Sequence, residues 1–100
     1  MNKINLKTEH FELLKKIFTE YCPNAEIYVF GSRLNGDSHE GSDLDIVVKS
    51  FGNDKSNLAE LKQLLNNSNI PFLIDIFELD KLPLTFQKEI ENSFVKIYPV

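Results

Sequence analysis

The chain contains a single cysteine, Cys22, among its 100 residues. That excludes an internal disulfide and a cysteine-based zinc site, and it suits a reducing, cytoplasmic setting. No run of Lys and Arg stands out, and the formal net charge is −4. The electrostatic footprint of a protein that grips long nucleic acid is therefore missing. No apolar run approaches the ~20 residues that span a bilayer, so no membrane association is expected. The stretch Met1-Asn2-Lys3-Ile4-Asn5 lacks the apolar segment of a secretory signal. Repeats and low-complexity tracts are absent as well. The length sets the expectation of a single domain over residues 1–100.

What is present is enough apolar material for a core: 42% hydrophobic residues, with eight Phe. Phe11, Leu14, Phe18 and Tyr21 recur at spacings of three and four, which predicts an amphipathic helix over residues 8–22, ended by Pro23 and Asn24. Residues 26–30 read as a strand ending at Gly31, and residues 43–49 as a second strand, apolar on both faces and so central in a sheet. A second helix is predicted over 54–67, with Leu58, Leu61, Leu64 and Leu65 inward. A third strand is predicted over 72–78, a helix over 83–93 with Phe86 in the core, and a short strand over 95–98. Asp80 is expected to cap the last helix. The order predicts an α/β (α+β) fold, a small mixed β-sheet flanked by helices. Phe94, Tyr98 and Val100 are candidates for an exposed apolar surface near the C-terminus.

The chemistry concentrates in two short stretches, Gly31-Ser32-Arg33 and Ser42-Asp43-Leu44-Asp45. On a strand, residues two apart face the same way, so Asp43 and Asp45 should project together beside the turn at Gly31. Adjacent carboxylates repel, and a buried one is costly unless paired. Magnesium, a hard oxygen-seeking cation, resolves both problems and bridges carboxylates to phosphates. The plainer reading is a solvated strand end. Asp75 interrupts the apolar run Phe72-Leu73-Ile74-Asp75-Ile76-Phe77. It is either a buried Asp satisfied locally or a third metal ligand, the latter if the second and third strands are neighbours. Three convergent carboxylates suit a two-metal site for in-line displacement at phosphorus.

Gly31 and Ser32 form either a plain turn or a backbone-and-hydroxyl cradle for phosphate. Arg33 either neutralises phosphate or pairs with Asp37 or Glu40. Ser42 is placed to orient the Asp pair, while Gly36 serves a turn. His39 reads as an exposed loop histidine, His10 as a partly exposed packing residue and Cys22 as a small core residue.

Together, Gly31-Ser32-Arg33-Leu34-Asn35-Gly36, five intervening residues, and Ser42-Asp43-Leu44-Asp45-Ile46-Val47-Val48 resemble the polymerase-beta-type nucleotidyltransferase signature. Asp75 within Leu73-Ile74-Asp75-Ile76-Phe77 is similar to the family's third carboxylate. At this length the chain resembles the minimal nucleotidyltransferase (MNT) subfamily, whose members are commonly the antitoxin half of a pair with a HEPN-domain ribonuclease toxin. The resemblance implies transfer of AMP from ATP to a tyrosine hydroxyl of that toxin. It implies Gly31 and Ser32 on the triphosphate, Asp43 and Asp45 on two Mg2+ ions, and Asp75 on the catalytic ion and helping to deprotonate the acceptor. One departure is Asn35, where family members often carry a basic residue. Two rivals accompany this reading: an antitoxin that acts by contact alone, and the catalytic subunit of another two-chain nucleotidyltransferase.

Overall fold

In a computed structural model the described residues are 4, 6–31, 43–53 and 55–99. Helix α1 runs Thr8–Tyr21, strand β1 Glu26–Phe30, strand β2 Leu44–Ser50, helix α2 Leu58–Asn66 and strand β3 Ile74–Glu78. A 3-10 turn, Leu79–Lys81, leads to helix α3, Leu84–Ser93, and strand β4, Val95–Tyr98. Among the described residues the strands form one sheet in the order β3-β2-β1-β4. Strand β1 is antiparallel to both β2 and β4, and β2 is parallel to β3, so the sheet is mixed as expected. Strand β2 is interior, which explains why its sequence is apolar on both faces.

The pleat sorts the side chains into two layers. Ile27 and Val29 of β1, Leu44, Ile46 and Val48 of β2, and Ile74 and Ile76 of β3 pack with Phe11, Leu14 and Phe18 of α1 and with Leu61 and Leu65 of α2. Cys22 lies in this layer, and burial pushes its thiol up to about 11, which leaves it a protonated packing residue. The opposite face carries a thinner layer in which Val47 and Leu79 are joined by Tyr28, Phe30, Phe77, Leu82 and Phe94.

Several details depart from the sequence reading for local reasons. Helix α2 starts later than residue 54, because the Asn53 side chain accepts from the N–H groups of Lys55 and Ser56 at 2.8 Å each and folds them into a turn. The helix begins where Asn57 caps it, accepting from Glu60 N–H at 2.9 Å. Leu64 is 44% exposed rather than inward. Phe72 precedes β3 and meets His10 edge-on at 5.5 Å. Asp80 does not cap α3: it sits inside the 3-10 turn, and Pro83 holds the N-cap position with no side-chain cap. Phe86 is 40% exposed, so it is no core residue. Tyr98 is buried and donates to Pro23 C=O at 3.0 Å, and Phe94 is half-buried against Tyr28; neither forms an exposed apolar surface. Val100 falls outside the described residues.

Candidate active site

The C-terminal end of β1 and the N-terminal ends of β2 and β3 meet at one rim of the sheet, because β1 runs antiparallel to the parallel pair. On the thinner-covered face the register brings Phe30, Asp45 and Asp75 side by side across three strands. Strands so paired lie about 4.8 Å apart. Asp45 and Asp75 are thus direct neighbours, each half-buried. Asp43 sits just before β2, exposed, and Leu44 N–H donates to Leu73 C=O at 2.9 Å, which extends the β2–β3 pairing to that point.

Asp45 senses both of its acidic neighbours. Burial, then the charge of Asp75, then that of Asp43 hold the Asp45 carboxyl above the usual carboxylate range. Among the described residues no three such side chains close into a ready ligand cage. Like charges hold carboxylates apart until a cation lies between them. The donor set is all-carboxylate, hard and anionic, with one member paying for the charge of two neighbours. It fits a divalent cation such as magnesium.

Gly31 completes this corner in a way the sequence did not suggest. Its φ is +86°, a left-handed conformation that L side chains rarely adopt. A Cβ added there would stand 2.5 Å from Asp45 Oδ2 and 3.3 Å from its Cγ. The missing side chain is therefore the space that the Asp45 carboxylate occupies. Beyond Asp45 the face turns aromatic: the Phe30 ring lies 5.8 Å from Phe77 and 6.3 Å from Phe86, the latter edge-on. Ser32, Arg33, Asn35, Gly36, His39 and Ser42 lie outside the described residues, so the structure brings together Gly31, Asp43, Asp45 and Asp75 from the sequence reading.

The family model for polymerase beta nucleotidyltransferases matches residues 12–99. The chain belongs to that family. Within it, the chain is 25% identical over 96 residues to the probable protein adenylyltransferase MntA of Haemophilus influenzae, covering 95% of this chain and 84% of that one. Among solved structures, a toxin–antitoxin crystal structure with AMP-PNP superposes with a TM-score of 0.69 at 23% identity, covering 94% of this chain and 75% of the other. The MntA-HepT toxin–antitoxin structure superposes at 0.65 with 20% identity, covering 94% and 74%. These two likenesses establish the nucleotidyltransferase fold. The rim that carries Asp43, Asp45 and Asp75 lies within the matched residues.

Sequence reasoning missed two contributors to this rim. One is the part that Gly31 plays for Asp45. The other is Asn66, whose side chain bonds both backbone groups of Ile74, the residue before Asp75, and which reads in the sequence only as part of the polar run that closes α2. Its neighbours Asn67 and Asn69 are the same residue type, so no local signal marks it out.

Proposed function

We propose that this chain is a magnesium-dependent protein adenylyltransferase of the antitoxin type, acting in the cytoplasm as a single nucleotidyltransferase domain. It would transfer AMP from ATP to a tyrosine hydroxyl of a HEPN-domain toxin. The observation that carries the reading is the register of β2 against β3, which sets Asp45 beside Asp75 with Asp43 at the same rim. The similarity to an MntA adenylyltransferase along nearly the whole chain supports the acceptor class. The likeness to toxin–antitoxin structures, one of them with a nucleotide analogue, agrees with it.

In the proposed reaction the acceptor oxygen forms a bond to the α-phosphorus of ATP. The bond from that phosphorus to the bridging oxygen breaks, and pyrophosphate leaves with the electron pair. The hydroxyl proton passes to Asp75, the member of the trio on the outermost strand. Asp43 and Asp45 would hold two magnesium ions, with Asp75 sharing the catalytic one. When bound, the ions supply positive charge at the reacting phosphorus and on the departing pyrophosphate. Asp45 keeps its place because Gly31 leaves room for it. Gly31 with Ser32 would receive the triphosphate, with Arg33 adding charge and Ser42 orienting the aspartates.

Label transfer tests this reading. Incubation of the HEPN partner with this protein, magnesium and ATP labelled at the α-phosphate is expected to leave label on the partner. ATP labelled at the γ-phosphate is expected to leave none. Label from the γ position would mean phosphorylation. No label from either, with the partner silenced in a stable complex, would mean neutralisation by contact alone.

A further inference from the structure

We infer that Asn66 is a positioning residue for Asp75: its side-chain amide bonds the outer edge of β3 as a neighbouring strand would and fixes the backbone from which Asp75 projects. Strand β2 is bonded along both edges, to β1 and to β3. Among the described residues β3 has a strand on one side only. A carboxylate on such a strand inherits the play of an edge unless something else ties it down. Asn66 does so at the residue before Asp75. The Ile74 N–H donates to Asn66 Oδ1 at 3.1 Å, and Asn66 Nδ2 donates to Ile74 C=O, also at 3.1 Å. This is the two-bond exchange that a facing peptide would make.

The amide is itself held. Asn66 Nδ2 also donates to Lys62 C=O at 3.0 Å, one turn back in α2. Helix α2 is seated in the core by Leu61 and Leu65, both fully buried. A rigid line therefore runs from the core through α2 and Asn66 to Ile74 and Asp75. A primary amide offers a donor and an acceptor side by side on one planar group. An Asp in its place keeps the acceptor and loses the donor, and an Ala loses both. Asn66 and Asp75 also line one open cleft of about 440 Å³ between α2 and β3. Water there competes for the Ile74 groups once the amide is gone.

The inference rests on the reaction proposed above, because Asp75 matters there as the proton acceptor and ligand. Asn66→Ala and the isosteric Asn66→Asp are compared with the parent chain at a temperature where each is folded. For both, kcat is expected to fall about 10- to 100-fold per folded molecule, the scale of a misplaced catalytic group. The KM for ATP is expected to stay close to that of the parent. In the metal-free proteins the Ile74 and Asp75 amides are expected to exchange with solvent faster, and Mn2+ titrated into the isolated protein should bind more weakly. A lowered melting temperature with unchanged kcat and unchanged Mn2+ affinity would overturn the inference, leaving Asn66 as a structural tie only. If Asn66→Ala does not fold, Asn66→Asp decides by the same criteria. If the parent chain transfers no AMP, the proposed reaction falls, and the Mn2+ titration still decides the inference about Asn66.

Discussion

At Asp45 the proposed role and stability pull in opposite directions. Its carboxyl is held up by burial and by the charges of Asp75 and Asp43. The folded protein therefore binds that proton more tightly than the unfolded chain does. Stability contributed by this group falls as pH rises from the ordinary carboxylate pKa through the raised folded one, and it stays lowered at neutral pH. Asp45→Asn is expected to raise the melting temperature at neutral pH without divalent cations and to leave it unchanged at pH well below the carboxylate range. Adding Mg2+ is expected to stabilise the parent chain and not the variant. Thermal melts across pH with and without Mg2+ check both. Equal melting at neutral pH would mean that Asp45 feels no strain from its neighbours. Gly31 is the companion case. Gly31→Ala meets about 1–2 kcal/mol of backbone penalty at a left-handed φ, and its new Cβ lies 2.5 Å from the Asp45 carboxylate. It is expected to lose stability and activity together, read by denaturant melts and turnover. Full turnover in Gly31→Ala would show that Asp45 can move aside without loss.

At the scale of elements, the strands and the starts of α1 and α3 fall within two residues of the sequence reading, and the start of α2 does not. Strand β1 falls on the expected residues, and β2 is shifted by one, because alternation and apolar runs report strands directly. The start of α2 was misplaced because Asn53 and Asn57 compete for nearby N–H groups. Which asparagine makes a turn and which makes the cap depends on three-dimensional geometry. The cap is reciprocal: Asn57 Oδ1 accepts from Glu60 N–H, and Asn57 Nδ2 donates to the Glu60 carboxylate at 2.6 Å. Tyr21 ties it to α1 by accepting from Asn57 N–H through its hydroxyl at 2.9 Å. Asn57→Ala is expected to cost about 1 kcal/mol, a fall in melting temperature of about 4–8 °C for a domain of this size. A melt unchanged by the substitution would show that α2 is held by Leu61 and Leu65 alone. Because α2 carries Asn66, the anchoring of this helix also bears on the rim that carries Asp75.

Over the whole molecule, the sheet separates the work of folding from the work of the site. One face takes α1 and α2 and holds the core, and the other carries the carboxylates and an aromatic wall at one rim. The carboxylates were legible because charges in apolar strands are conspicuous, and spacing alone put Asp43 and Asp45 together. The adjacency of Asp75 was only conditional, since sequence does not encode strand order; the parallel pairing of β2 with β3 supplies it. The Asn66–Ile74 bonds and the space beside Gly31 were not legible, because each depends on a neighbour that only the fold brings alongside. The two faces predict different outcomes for substitution. Asp43→Asn with Asp45→Asn is expected to leave the fold intact and abolish transfer.

The most direct measurement of the central claim is the intact mass of the HEPN partner after incubation with this protein, ATP and Mg2+, beside the same reaction with the Asp43→Asn, Asp45→Asn double variant. The expected result is a gain of one or more AMP units on the partner with the parent chain and none with the variant. No gain with the parent chain, in the presence of a stable complex and a silenced toxin, would contradict adenylyl transfer as the function of this rim.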